Sequence, residues 1–310
     1  MGIGVKVEIG AAAAVTKRVA ALVLLGLLVA WLVAPAARAY QLVAGRSSDP
    51  VAPKDLQVED FRFKAGAESE LAQTTGELAG WTIHTVHGAP AVILVHGFKT
   101  SREEMLPWAR FLHEAGYNVL LFDTRGCGKS GGSTVGLGAT EPRDISLAAE
   151  LARGEFGTDK VAVLGISLGA GAAILAAASD PHVSAVIADS AWTDQDLQLS
   201  RLSFLPLGTY RVPLPPYGIA AVNAFVGADV ARARPLDVIG AISPRPVLLI
   251  HSADDDNATT PVEGARKLFA AAGEPKDLWV APRGGHVGAI NAFPDEYRAR
   301  VLAFLGKALR

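Results

Sequence analysis

The sequence predicts an α/β fold, a mostly parallel central sheet flanked by helices and preceded by one apolar helix. Three observations predict it. From about residue 58 to the C-terminus, strand-length apolar runs alternate with helix-length runs, as in βαβ units. Several of the strands, 90–96 above all (Pro90-Ala91-Val92-Ile93-Leu94-Val95-His96), are apolar without interruption, as strands covered on both faces must be. One of them, Val161 to Leu164, runs through Gly165-Ile166-Ser167-Leu168-Gly169 into a small-residue helix over 170–178. That turn is too tight for side chains on either flank of the serine.

At 310 residues the chain holds one large α/β domain plus an extension. Half the residues are apolar and the net charge is -2, a balance that argues against a nucleic-acid surface or an acidic tail. A single cysteine, Cys127, excludes an internal disulfide framework and a clustered cysteine metal site. No metal-ligand cluster is visible, and no cofactor is implied.

The N-terminal segment 1–18 is polar to alanine-rich and ends in Lys17-Arg18. Residues 19–37 continue without a charge, just long enough to cross a bilayer as a helix. Two readings compete. A secretory signal would be cleaved near Ala37-Arg38-Ala39 and release the domain. An uncleaved anchor would make the membrane a partner through 19–37 and hold the domain on the extracytoplasmic side. The run is slightly long for a signal, which favours the anchor. Residues 38–57, with Gly45, Pro50 and Pro53, read as a linker. On this reading the first 40 or so residues lie outside the globule and are dispensable to it.

The domain, 58–310, then unfolds in order along the chain. Strands at 58–63 and 80–86 pair as a hairpin-like start across a polar turn region, 66–80. Strand 90–96 ends in His96-Gly97-Phe98. A helix is expected over 101–115, with Ser101 as N-cap, Glu104 completing a capping box and Gly116 stopping it. Next come strand 117–123, helix 143–156, strand 160–164, the small-residue helix, and strands 183–188 and 246–251. Helix 261–272, strand 277–281 and helix 294–309 complete the chain. The segment 192–243, rich in Leu, Pro and aromatics, is an insertion between two strands. It reads as a small lid shaping an acyl pocket, or as packing over the sheet edge or a bilayer contact. Trp192 at its start either lines that pocket or closes the core.

A second Gly-x-Ser-x-Gly occurs at Gly128-Lys129-Ser130-Gly131-Gly132. Its strand ends too early, and the residues after Ser130 carry loop chemistry rather than a helix. Gly128-Lys129-Ser130 also imitates the end of a phosphate-binding loop, but the glycine required five residues before Gly128 is Asp123. Ser130 and Lys129 are therefore turn residues, and Ser167 is the candidate nucleophile.

Six marks in order carry a resemblance. They are His96-Gly97, Asp123-Thr124-Arg125-Gly126-Cys127-Gly128-Lys129-Ser130, the turn at Gly165, Asp189-Ser190, the acidic loop at Asp254 and Gly285-His286. From about residue 58 to 310 the chain resembles the serine α/β-hydrolases of the esterase, lipase and thioesterase superfamily. The resemblance implies the α/β-hydrolase fold, with the Gly165–Gly169 turn as its nucleophile elbow and an order of serine, acid, histidine along the chain. It makes His286, in the glycine turn after strand 277–281, the base. Counting four residues from His251 gives Asp255 as the acid. The loop after it is about two residues longer than usual, so Asp254 stays open, as does Asp189, because some members carry the acid one strand earlier. The backbone N–H groups of Leu168 and Phe98 are the expected oxyanion donors, with His96, Gly97, Gly165 and Gly169 as supporting turn residues.

A hydroxyl becomes a nucleophile when a base removes its proton, and the base needs a carboxylate to fix its tautomer. The expected activity is therefore hydrolysis of carboxylic esters or thioesters of a small-molecule acyl substrate through an acyl-enzyme. Peptidase or amidase action is the alternative within the same chemistry. A non-catalytic binding domain of this fold would usually have lost a triad residue, and here none is lost. Oligomeric state stays open.

Overall fold

The computed structural model describes residues 4–64 and 76–310. The chain opens with helix α1 (Gly4–Val43), and strands β1 (Glu59–Lys64), β2 (Glu77–Ile83) and β3 (Ala91–Val95) come next. Then come α2 (Leu106–Glu114), β4 (Asn118–Phe122), α3 (Glu141–Phe156), β5 (Val161–Ile166), α4 (Leu168–Ser179) and β6 (Ala185–Asp189). The insertion contributes a small hairpin, β7 (Phe204–Leu207) and β8 (Tyr210–Pro213), and helix α5 (Gly218–Val226). Strand β9 (Val247–Ser252), α6 (Val262–Ala271), β10 (Lys276–Ala281) and α7 (Pro294–Ala308) complete the chain.

Eight strands form one sheet in the order β10-β9-β6-β5-β3-β4-β2-β1. Strands β3 to β6, β9 and β10 pair in parallel, while β2 is antiparallel to both β4 and β1. The period of two along each strand divides the core. Ile93 and Val95 of β3 point into a cluster with α3, α4 and α6, and Val92 and Leu94 point into a cluster with α2 and α7. Burial on both faces is why β3, β4 and β5 are apolar at nearly every position. Three elements of the site hang from the C-terminal ends of β5, β9 and β10, on the side where sheets of this class bind ligands.

Several expectations are corrected. Strand β2 begins at Glu77, not at residue 80, and residues 66–75 of the expected turn region lie outside the described residues. The capping box at Ser101 does not form. Ser101 makes no side-chain cap, residues Arg102–Met105 form a tight 3-10 turn, and Pro107 sits in the first turn of α2. Glu104 is drawn instead to Gly97, whose N–H donates to its Oε2 at 2.9 Å.

The largest correction concerns the N-terminus. The segment 1–18 is helical from Gly4, and α1 runs through residues 19–37 and into the expected linker as far as Val43. Ala39 and Val43 are fully buried with Val222, Val226, Leu199 and Leu202 of the insertion and with Cys127. Beyond the helix, the Arg46 N–H donates to Gly126 O at 2.7 Å, and Arg46–Ser47 pairs in parallel with Cys127–Gly128. Residues 38–47 therefore belong to the globule. Pro35, which has no N–H to give the helix ladder, lies where α1 passes from exposed to docked.

Candidate active site

Ser167 occupies the single residue between β5 and α4, at φ 51° and ψ -115°. This positive-φ conformation is strained for a side-chain-bearing residue, and it projects the hydroxyl off the end of the strand. The flanking glycines make the turn possible. A Cβ on Gly165 would lie 2.2 Å from Gly169 O, and one on Gly169 would lie 2.4 Å from Val95 O. The Ser167 N–H donates to Asp189 O at 2.9 Å, tying the turn to the next strand.

His286 arrives from the loop after β10. Its Nε2 is 2.9 Å from Ser167 Oγ and its Nδ1 is 2.9 Å from Asp255 Oδ2. The carboxylate fixes the proton on Nδ1, so Nε2 is left to accept from the hydroxyl. The Asp255 side chain is wholly buried. Burial alone would push its carboxyl up, but hydrogen bonds from His251 and His286 and from the Asn257 N–H hold it well below the usual carboxylate range. The structure thus brings Ser167, His286 and Asp255 into one hydrogen-bonded chain, and leaves the other two candidate aspartates elsewhere. Asp254 Oδ1 accepts from the Gly285 N–H at 2.8 Å and holds the histidine loop. Asp189 is buried beneath it, accepting from Ser190 Oγ and Tyr297 OH at 2.9 Å each. Burial pushes the Asp189 carboxyl up to about 6, against those hydrogen bonds.

Three residues have roles that sequence reasoning missed. His251 Nε2 stands 3.1 Å from Asp255 Oδ2 and 2.9 Å from Thr260 O, two acceptors that require the proton on Nε2. Asp255 is therefore clamped between two histidines, and the four-residue interval from His251 is the one signal that could have shown it. Thr260 Oγ1 lies 3.1 Å from His286 Nδ1. Ser190 links the buried Asp189 to the histidine loop by accepting from the Val287 N–H at 3.1 Å.

The turn opposite the serine is built from His96, Gly97 and Phe98. The Thr124 N–H donates to His96 Nε2 at 3.0 Å, which places the remaining proton on Nδ1, where it donates to Gly97 O at 2.8 Å. Burial lowers the affinity of this ring for a second proton. With its own N–H held by Glu104, Gly97 lies so close to the serine that a Cβ there would be 3.6 Å from Ser167 Cβ. Asp123 organises the loop that supports this turn, accepting from the Arg102 N–H at 2.7 Å and the Lys129 N–H at 2.8 Å.

A cavity of about 170 Å³ opens at Ser167, and its lining includes Phe98, Leu168, Trp192, Gln198, Arg201 and Asn257. Trp192 serves both of its expected purposes. It lines this cavity, and its ring fills the groove left by Gly171 while Nε1 donates to Leu168 O at 3.2 Å. A larger cleft of about 550 Å³, between Pro246, Pro275 and Phe304, lies at the starts of β9 and β10, away from all of these groups.

Comparison with known proteins agrees with this architecture. The family model described as serine aminopeptidase, S33, matches residues 87–216. The protein YqkD of Bacillus subtilis is 31% identical over 239 residues, covering 73% of this chain and 76% of its own. The polyketide transferase ATR5 of Stachybotrys chlorohalonatus is 27% identical over 293 residues, covering 75% of this chain and 94% of its own. Among solved structures, the Pyrococcus furiosus esterase Pf2001 superposes with a TM-score of 0.68 at 26% identity, over 86% of this chain and 99% of that one. By fold, sequence and family match, this chain belongs to the α/β-hydrolases.

Proposed function

We propose that the chain is a serine hydrolase that cleaves carboxylic esters or thioesters through an acyl-enzyme. One observation carries the proposal, the continuous contact from Ser167 Oγ through the His286 ring to the buried Asp255 carboxylate, each step 2.9 Å. In this reading His286 Nε2 takes the hydroxyl proton as Oγ attacks the acyl carbon. The Leu168 and Phe98 N–H groups, the former at the start of α4 with its positive dipole end, receive the oxyanion. Asp255 stabilises the imidazolium without itself taking the proton. His286 then protonates the leaving alcohol or thiol, and water repeats the sequence to free Ser167. The esterase Pf2001 supports the ester reading, since this chain spans nearly its whole length.

The test is covalent labelling of Ser167 by a fluorophosphonate probe, expected in the native chain and absent from Ser167→Ala. A folded native protein that takes no label would defeat the proposal. The description of the matching family model favours a second reading, cleavage of an aminoacyl amide. Turnover of short and long acyl esters beside aminoacyl amides separates the two.

The proposal extends to α1 as an uncleaved membrane anchor. By length and composition the helix is able to cross a bilayer. Ala39, at the alternative cleavage site, is buried beneath the insertion, so a chain cut after it would lose a side chain of the folded core. A protein of full length in the membrane fraction supports the anchor, and one shortened by about 39 residues overturns it. We place the catalytic domain on the extracytoplasmic side, where protease added to intact cells would reach it.

A further inference from the structure

Helix α1 does more than precede the domain; it is fastened to the insertion beside the catalytic cavity. The Trp31 indole N–H donates to Pro213 O of β8 at 2.8 Å, and Tyr217 OH donates to Leu32 O. Tyr40 meets Phe225 of α5 edge to face, with ring centroids 5.5 Å apart. Arg38 Nη2 donates at 2.9 Å to the carbonyl of Arg201, a residue of the cavity wall. The insertion thus has a fixed height relative to α1.

That height can be read from burial. Residues 14–33 of α1 are exposed without exception, and burial begins at Ala34. Of these, the uncharged residues 19–33 rise about 22 Å, and Lys17 and Arg18 before them reach toward the far headgroups, which brings the span close to the roughly 30 Å of a bilayer's hydrocarbon core. If α1 spans the membrane, its domain-side boundary falls at Trp31 to Val33, where β8 and Tyr217 touch it. The surface that the insertion presents there is apolar and aromatic. Leu207 and Tyr210, at the hairpin tip, are 56% and 77% exposed, and Ile219 in the first turn of α5 also faces outward. Arg211 lies over the Phe204 ring at 4.6 Å, a cation held beside an aromatic. An aromatic ring with an arginine head beside it is a pairing favoured at a membrane–water interface. This patch is continuous with the exposed apolar face of α1, which sets it apart from scattered surface hydrophobics.

We propose that the hairpin β7–β8 and the first turn of α5 lie in the headgroup layer of the bilayer that α1 spans, making the insertion a second, peripheral membrane contact. The inference rests on the anchor reading of α1. It places the wall of the catalytic cavity next to lipid, and so favours acyl substrates presented at a lipid surface over those free in water.

The test uses the full chain in phosphatidylcholine–phosphatidylglycerol vesicles with one added cysteine carrying an NBD fluorophore: Leu207→Cys, Tyr210→Cys, Leu25→Cys or Val86→Cys. The native Cys127 stays silent, because it is buried and its thiol is pushed up to about 11. A cooperative thermal transition first establishes that each variant folds. Nitroxide-bearing lipid should quench the probes at 207, 210 and 25 at least several-fold more than the probe at 86, an exposed position near the starts of the strands. Quenching at 25 with 207 and 210 indistinguishable from 86 overturns the lid contact and leaves the anchor standing. Absence of quenching at 25 as well brings down the anchor and this inference together. Shielding of 207 and 210 that grows with protein concentration and ignores the nitroxide assigns the face to a second copy of the chain, and also overturns it.

Discussion

Two segments of this chain carry the same five-residue pattern and put it to opposite uses. At Ser167 the pattern joins a parallel strand to a helix, and the hydroxyl stands off the end of the sheet within reach of His286. At Ser130 the pattern lies in a loop, where Oγ donates to Asp123 O at 2.5 Å and accepts from the Ala79 N–H at 2.9 Å. Both bonds of that second hydroxyl are spent on holding backbone. The difference teaches that the pentapeptide only permits a tight turn. What exposes a serine is the strand before it and the helix after it.

The sharpest way to break this comparison is to remove each hydroxyl in turn. Ser167→Ala should lower kcat by roughly 10⁴-fold or more and abolish fluorophosphonate labelling, as expected for the nucleophile of a triad. Comparable loss in Ser130→Ala with Ser167→Ala active would reverse the assignment. Next in size is Asp255→Asn, expected to cut kcat by roughly 10³- to 10⁴-fold, because an amide fails to hold the Nδ1 proton of His286. Steady-state rates should show Asp254→Asn within about ten-fold of the native chain, its carboxylate accepting from the Gly285 N–H rather than from His286. Gly169→Ala probes the turn itself. With Val95 O 2.4 Å from the added methyl, α4 must shift, and roughly 10²-fold in kcat/KM should be lost through misplacement of Ser167.

The strand beside the turn gives a pH signature. Asp189 has a folded pKa raised to about 6, so its contribution to stability is greatest below its unfolded value of 3.8 and is lost as pH rises through about 6. Asp255 runs the other way, its contribution being present above 3.8 and lost as pH falls below that value. Between pH 4 and 6 the Asp189 effect therefore stands alone of the two. Thermal midpoints of Asp189→Asn across that window should decline less with pH than those of the native chain, and an unchanged slope would refute the assignment. The smallest effect is expected from Ser130→Ala, about 1–3 kcal/mol of stability from the stranded Ala79 N–H, read by denaturant unfolding.

Much of the sheet was legible because strands β3, β4 and β5 are covered on both faces and read as almost unbroken apolar runs. Ser167 was legible because it stands one residue past the end of β5, whereas Asp255 and His286 lie in loops beyond β9 and β10 and were reached through the family resemblance, with Asp254 and Asp189 left open. Other features were hidden for physical reasons. The docking of α1 left no trace, since a helix apolar all round has no polar face to mark which stripe will be covered. Glu104 looked like half of a capping box because sequence spacing says nothing of a competing donor, and Gly97 supplied one. His251 read as an ordinary strand-end residue. Only the folded chain shows that it shares the carboxylate of Asp255 with His286.

The seating of Ala39 and Val43 beneath the insertion also decides where the protein can be cut. A shortened form starting at Ala34 would discard the exposed stretch 14–33 and retain the side chains of α1 described as buried. One starting after Tyr40 would strip Ala39 from its place against Val222 and Leu202, and would cut away Arg38, whose guanidinium holds the carbonyl of Arg201. The more generous truncation is the damaging one, and a loss of activity in it would report on the wall of the pocket rather than on the need for a membrane.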